Sequence, residues 1–454
     1  MAGQLDFKEL EAMIRAGDVD TVLTVIPDGQ GRLMGKRVVG RYFLDHVAAE
    51  GLHACIYLFT VDIDMEPLPG FKLTSWEKGY GDMQMVPDIG TLRLIPWLPN
   101  TALVFCDVYT EEGEPIEEAP RWVLRRQIER GAEAGFTVKM GSELELYLFK
   151  ESFEEARAKR YHALTPVSGY LEDYHILQTT REEPLVHAIR DGMEGANVPV
   201  EFSKGEWGRG QEEINLRYAE ALEMADRHTL YKHGAKEIAH LQGCSLTFMA
   251  KYDVGAAGSS CHLHSSLWDR AGKRPLFPGR SRRTGSLIFQ QWLAGQLALA
   301  REFAYFYAPT VNAYKRYQAA SFAPTRIVAG WDNRTCGFRL CGEGAGLRVE
   351  NRIPGADANP YLAFAATIAA GLYGIRHKLK PPGLYEGNAY EDVSLPQVPK
   401  TLREAIRALE QSEAARQAFG ERVVEHYVHT ARLEQEAFDR VVTDWELMRN
   451  FERI

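Results

Sequence analysis

Apolar and polar positions alternate with a period of two in many short runs of this chain, and with helical spacing in a few longer ones. The first quarter is of the former kind. TVLTVI (21–26) and LMGKRVV (33–39) flank the turn PDGQGR, which predicts a hairpin. ACIYLFTV (54–61), TLRLI (91–95) and ALVFCDV (102–108) predict further strands. TEEGEPIEEAP (110–120) breaks the pattern, being acidic, turn-rich and without apolar period. It marks a boundary between a unit at 1–109 and a second at 120–454. Pro120 then opens an amphipathic helix, PRWVLRRQIERGAEAG. Residues 219–243 predict a long helix stopped by Gly243, residues 284–306 another, and the apolar run 360–375 a buried one. The stretch 151–181 is polar and shows no period, and no internal repeat is present.

Four segments of the second half carry charge on one row of an alternating strand. In SELELYLF (142–149), Leu144, Leu146 and Leu148 share one face, which leaves Glu143 and Glu145 on the other. In EEINLRY (212–218), Ile214 and Leu216 alternate with Glu213, Asn215 and Arg217. SCHLHSSLW (260–268) sets His262 and His264 on one row, and LRVENRI (347–353) does the same for Arg348, Glu350 and Arg352. A solvated strand face usually carries Lys, Thr and Gln, yet Lys is absent from all four segments. Glu pairs at i, i+2 bring like charges together, which is unfavourable unless a cation bridges them. Converging in one sheet, these rows build a cleft of carboxylates, imidazoles and guanidiniums, groups that persist when buried only if paired or metal-bound. Carboxylates with one or two His suggest a hard divalent ion, Mg²⁺ or Mn²⁺. Arginines beside it suggest an anionic substrate, above all phosphate. The pattern therefore favours metal-assisted phosphoryl chemistry.

Composition narrows this further. The chain has 454 residues, 45% hydrophobic and 25% charged, ordinary values that exclude disordered, collagen-like and coiled-coil classes. A formal charge of -9 argues against non-specific nucleic-acid binding. The longest apolar run, Tyr361 to Ile375, is too short to span a bilayer, and the first eighteen residues have no apolar signal core. Six cysteines without CxxC spacing predict reduced thiols in a cytoplasmic protein. There is no P-loop and no protein-kinase signature, and GAAGSS (255–260) precedes a strand, so it is no dinucleotide fingerprint.

The ordered blocks DGQGRLMGKRV, GDMQMVPD, GSELELYLF, EWGRGQEEINLRYAEALEMAD, GSSCHLHSSLW, NAYKRYQAASFAPT, NRTCGFRL and RVENRIPGADANPY resemble the glutamine synthetase superfamily over nearly the whole chain. The resemblance implies an α+β fold with a small N-terminal β-grasp domain and a large catalytic domain built on a curved antiparallel sheet. It implies two to three Mg²⁺ or Mn²⁺ ions per subunit, ATP as a substrate, and stacked hexameric rings with intersubunit active sites. Glu145, Glu206 and Glu213 match ligands of a first metal, and Glu143, His262 and Glu350 those of an ATP-side metal. His264 and Ser266 match nucleotide-contacting positions. Arg316 and Arg352 match arginines that hold glutamate, with Gly258 nearby, while Arg334, Arg339 and Arg348 match those that hold phosphates. The implied chemistry is phosphorylation of a γ-carboxylate by ATP, then attack of an amine on the acyl phosphate.

The departures from that pattern carry information. Ammonia-using members bear an acid just before Ala-Pro on the flap after YKR, where this chain has Phe322. Where an FDGSS-like block supplies a second ammonium-contacting Asp, this chain reads FKLTS (71–75), with Lys72. Losing two anions removes the electrostatic reason for NH₄⁺ to bind and lose a proton there. SFAPT also looks like the γ-glutamyl-amide branch, which joins glutamate to ethanolamine, polyamines or other primary amines. Ala257 replaces the Asn expected before Gly258, which removes an amide from the glutamate head group's surroundings. NAYEDVSLP (388–396) is a degraded form of a block that carries an adenylylated Tyr, with Tyr390 at the aligned position. The expected function is an ATP-dependent γ-glutamyl-amide ligase acting on small molecules. A glutamine synthetase in which another acid such as Asp82 serves ammonium is the alternative, and a non-catalytic ring of the same fold a third reading. His228, His233 and His240 read as a partly solvated helix face, Phe303, Tyr305, Phe306 and Tyr307 as packing, and KRYHAL and RSRRTG as surface loops.

Overall fold

A computed structural model describes residues 5–279 and 285–454. Its first sheet contains β1 (Thr21–Pro27), β2 (Leu33–Val39), β3 (Leu52–Cys55), β4 (Asp82–Pro87), β5 (Arg93–Leu94) and β6 (Thr101–Tyr109). They run in the order β2-β1-β6-β4-β3, with β5 beside β6, and only β1 and β6 pair in parallel. The expected hairpin forms, Pro27 opposite Leu33. Two expected strands are shorter than the apolar runs that predict them. The run at 54–61 leaves the sheet at Cys55, because its partner β4 begins at Asp82 opposite it, and Ile56–Phe59 coils into a 3₁₀ turn. Of 91–95 only Arg93 and Leu94 pair.

The second sheet holds nine strands: β7 (Phe136–Phe149), β8 (Val200–Gly205), β9 (Gln211–Leu216), β10 (Ala219–Glu220), β11 (Ser245–Thr247), β12 (Cys261–Asp269), β13 (Ala329–Trp331), β14 (Phe338–Cys341) and β15 (Arg348–Asn351). Their order is β13-β14-β15-β12-β7-β9-β8, with β10 and β11 also on β7, and every pairing but β13 with β14 is antiparallel. The helices Pro120–Glu133, Glu183–Gly195, Ala221–Leu241, Leu287–Leu299 and Pro360–Arg376 share one core with the leucine row of β7. Burying that apolar row under helices leaves the opposite face of the sheet for the acids. The helices Leu287–Leu299 and Pro360–Arg376 approach so closely that a Cβ on Gly374 would lie 2.0 Å from the Gln291 carbonyl. Gly243, at φ 69°, turns the chain just past the helix Ala221–Leu241.

Two expectations need correction. The helix expected over 284–306 is two, Leu287–Leu299 and Ala304–Tyr307. The break lets both Phe303 and Phe306 meet Phe419, at 5.5 and 5.1 Å between ring centroids. His228 is not on a solvated face: it is buried against β7, its Nδ1 3.0 Å from Ser142 Oγ, while His240 on the same helix is exposed. The aromatic run 303–307 is packing as expected, KRYHAL is a largely exposed turn, and residues 280–284 of RSRRTG lie outside the described residues. All six cysteines are free, and no helix among the described residues is long and apolar enough to cross a membrane.

Candidate active site

Register across β7 turns four separate strand rows into one floor. His262 of β12 stands opposite Glu143 and His264 opposite Gly141. On the other edge, Asn215 of β9 stands opposite Glu143 and Glu213 opposite Glu145. β15 sets Glu350 beside His264, β14 sets Arg339 beside Glu350, and β8 sets Lys204 beside Glu213. The period of two that sends Leu144, Leu146 and Leu148 into the core sends Glu143 and Glu145 to this floor.

Carboxylate oxygens of Glu145, Glu206 and Glu213 lie within 4.8 Å of one another. Glu145 Oε2 accepts from Ser260 N at 2.7 Å, and Lys204 Nζ lies 2.5 Å from Glu206. Burial first, then neighbouring carboxylates, hold the carboxyls of Glu145 and Glu213 above the usual range. A second cluster joins Glu143, Glu213 and His262. Glu143 meets His262 Nδ1 at 3.1 Å and His264 Nε2 at 2.8 Å. Burial works against its ionisation, but the two imidazoles overcome it and keep its carboxyl well below the usual range. Burial, then Arg352, lowers His262 to about 4, so its ring is neutral. Its buried Nε2 has no hydrogen-bond partner among the described residues. Converging buried and half-buried acids, and an imidazole held through Nδ1 by a carboxylate with Nε2 unpartnered, fit divalent cations.

Glu350 joins this floor differently. It lies 3.8 Å from His262 Nδ1, and its two oxygens accept from Arg339 at 2.8 Å and from Arg352 at 2.5 Å. Arg339 also pairs with Asp332. Arg316 is buried and holds backbone: its Nη1 donates to Ile353 O and its Nη2 to Arg352 O, both at 2.8 Å, with Ser260 Oγ on its other side. It thus braces Arg352. Gly258 is packed under it, since a Cβ there would sit 2.6 Å from Arg316 Cγ. Ala257 contributes its carbonyl, which accepts from Tyr147 Oη at 2.9 Å. Arg348 Nε reaches His264 Nδ1 at 3.0 Å. Arg334 is exposed on the turn after β13 and lines an open cleft with Trp331, Tyr385 and Glu386.

The flap residue Phe322 is 52% exposed in a left-handed backbone, φ 58°, and its ring meets Trp207 at 6.2 Å. Arg352 Nη2 donates to its carbonyl at 3.3 Å, and Tyr390 Oη donates to Ala323 O at 3.0 Å. Lys72 does not approach this floor within its own chain; it pairs with Glu425 at 2.5 Å.

Several neighbours lie outside the sequence reading. A cleft of about 400 Å³ has Glu143, His264, Ser266 and Arg348 on its floor and Lys139, Tyr218 and Trp268 in its walls. Lys139 Nζ lies 3.9 Å from the Trp268 ring centroid. The signal was one step upstream: Lys139, Gly141, Glu143 and Glu145 share one face of the same strand. Trp207 follows Glu206 in the turn between β8 and β9, which no period marks. On the opposite side of β9 from Glu213, three buried acids, Glu172, Glu182 and Glu212, also come within 4.8 Å of one another. Burial, then Glu172, pushes Glu212 up to about 8, and burial with Glu172 also raises Glu182. The stretch 151–181, which supplies Glu172, carries no period that could have revealed this cluster.

The profile of the glutamine synthetase catalytic domain matches residues 117–450. The gamma-glutamylethanolamide synthetase of Streptomyces coelicolor is 49% identical over 450 residues, 99% of this chain and 96% of its own. A glutamate–isopropylamine ligase from a Pseudomonas species is 38% identical over 442 residues, 96% of each chain. Among solved structures, ligand-free GmaS superposes with a TM-score of 0.86 at 28% identity, over 98% of this chain and all of that one.

Proposed function

The chain belongs to the glutamine synthetase family, whose enzymes use ATP and divalent metals, and we propose that it makes a γ-glutamyl amide from glutamate and an amine other than ammonium. Phe322 carries this reading: a phenyl ring, set against Trp207, stands where the ammonia-using pattern requires an acid. An ammonium ion entering there meets ring faces in place of a carboxylate that could bind it and take its proton. The similarity to ligases named for ethanolamine and isopropylamine agrees, and ethanolamine is the first amine to try.

Glu145, Glu206 and Glu213 would hold one divalent ion, and Glu143, His262 and Glu213 or Glu350 another. Bound there, such ions would neutralise the acids and draw charge from phosphate oxygens. The remaining roles belong to the chain itself. Arg352, braced by Arg316, would orient the glutamate carboxylates, and Gly258 leaves Arg316 room for that geometry. His264, Ser266 and Arg348 line the cleft that would take the nucleotide. Arg339 and Arg334 would balance the negative charge of the transferring phosphoryl group; Arg339 is already aimed at the floor through Glu350. The reading includes a ring-shaped homo-oligomer and a reducing cytoplasmic setting, in keeping with six unpaired thiols.

The test follows phosphate release from ATP with glutamate and Mg²⁺ over a panel of amines that includes ammonium. Primary amines with a carbon substituent are expected to exceed ammonium in kcat/KM. Ammonium winning that comparison would overturn the proposal and restore a glutamine synthetase.

A further inference from the structure

The flap that carries Phe322 does not hold its own shape. Ala320 and Phe322 both have left-handed backbones, φ 57° and 58°, which residues with a Cβ keep only where surrounding contacts impose it. Ser321 folds the turn from within, its Oγ donating to Gln318 O at 2.6 Å. Two side chains hold it from outside by its carbonyls: Arg352 through Phe322 O, and Tyr390 Oη through Ala323 O at 3.0 Å. Tyr390 is half-buried, and burial raises its phenol above the usual range, so the hydroxyl keeps the proton that it donates.

The residues just before Tyr390 are tied in turn to the arginine side of the site. Ala389 N donates to Thr335 Oγ1 at 3.0 Å, Thr335 Oγ1 donates to Asn333 Oδ1 at 2.7 Å, and Asn333 Nδ2 donates to Gly387 O at 2.9 Å. Arg334 lies between Asn333 and Thr335, and Asp332 beside them pairs with Arg339, which reaches Glu350. Ala389 shares a small buried cluster with Val328 and Cys336. Further on the chain rejoins the exit of the flap, where Ile327 N donates to Pro396 O at 2.8 Å. The segment 387–390 thus runs from the turn that bears Arg334 to the flap that bears Phe322.

We propose that Tyr390 is a positioning residue: set by the turn that bears Arg334, it latches the flap over the acyl phosphate and keeps water from it until an amine attacks. The inference rests on the ligase reading above and deepens it. Water reaching the acyl phosphate regenerates glutamate. Its oxygen bonds the γ-carbon, the bond from that carbon to the phosphate oxygen breaks, and phosphate leaves with the electron pair. Phosphate takes up the proton that water sheds, and the net result is hydrolysis of ATP to ADP and phosphate. Room for an amine larger than ammonium is also room for water, so a flap of this kind needs a hold that the amine does not supply.

The experiment uses full-length, Mg²⁺-loaded Tyr390→Phe, which keeps the ring and loses only the hydroxyl. Glutamate-dependent phosphate release without any amine is expected to rise about fivefold over the parent, the effect of one hydrogen bond. Added amine should suppress that excess, while kcat for the amide changes much less. A residue that merely supported the fold would lower both rates together. Backbone amide exchange in the flap should quicken by a similar factor in the same variant, a readout that needs no chemistry. Thr335→Val should reproduce the excess hydrolysis, and Thr335→Ser, which keeps the hydroxyl, should not. Parent-like hydrolysis in Tyr390→Phe, unchanged exchange in its flap, or equal hydrolysis in the two Thr335 variants would overturn the inference. No amide from any amine in the parent protein would instead defeat the ligase reading, and flap exchange would still decide whether Tyr390 is a latch.

Discussion

Phe322 offers the simplest reversal of function at the scale of one residue. A glutamate there would return a carboxylate to a flap already anchored by Arg352 and Tyr390, so Phe322→Glu is expected to raise kcat/KM for ammonium relative to ethanolamine by about tenfold. Competition between the two amines in one reaction, read by product mass, measures the ratio directly. A ratio equal to that of the parent would mean that residue 322 does not line the amine's path. Single residues also show how uneven the information in a sequence is. Glu143, Glu145, Glu213, His262 and Glu350 are legible because strand alternation puts each on a charged row, and register does the rest. Glu206 lies just past the end of β8 and has no row; only its place in a recognised block identifies it. Arg316 was legible as a residue of the site but not in its orientation, since nothing in NAYKR says that its guanidinium turns to the backbone of Arg352.

Elements carry the next layer of cause. β9 has two faces with different chemistry, Glu213 on the acidic floor and Glu212 against Glu172 and Glu182 behind it. The rear group was not legible because it depends on how an aperiodic stretch folds over the strand, a tertiary fact that no local pattern encodes. Its burial has a measurable consequence. The folded-state pKa of Glu182 is raised above its unfolded value by burial and by Glu172, so the folded protein retains that proton. The stability this contributes is complete below the ordinary glutamate range and is lost as pH climbs from there into the alkaline range. Glutamine mimics the protonated acid but cannot titrate. Glu182→Gln should therefore flatten the fall in Tm between pH 6 and pH 9, by a few degrees in a protein of this size. Parallel Tm profiles for the two proteins would show that Glu182 is ionised throughout. The same logic of partners explains the strands: the apolar run at 54–61 looks uniform in sequence, yet it is a strand only as far as Cys55, opposite the first residue of its antiparallel neighbour.

At the scale of the whole molecule, the second sheet divides the protein into a helical side that stabilises and an acidic side that carries the candidate site, and the two are coupled through β7. Its leucines are buried in the shared core while its glutamates crowd a floor where burial and mutual repulsion hold Glu145 and Glu213 above their usual range. Without cations, folding must bring these carboxyls together protonated. With divalent ions bound they would be ionised and compensated, and ions that bind the folded state alone would stabilise it by mass action. The sign with pH then follows. For carboxyls whose folded-state pKa is raised, the stability of the metal-free protein falls as pH rises from the ordinary glutamate range towards those raised values. Metal binding removes that loss because it competes with the protons. The gain in Tm on adding Mg²⁺ or Mn²⁺ to chelator-treated protein should accordingly be small near pH 5.5 and several degrees larger near pH 8.5. Glu145→Gln, with one floor carboxyl made unable to ionise, should reduce both the gain and its pH dependence. A metal-dependent Tm gain equal at both pH values would mean that the acidic side of the sheet is ionised and stable by itself, held by its arginines and Lys204 alone.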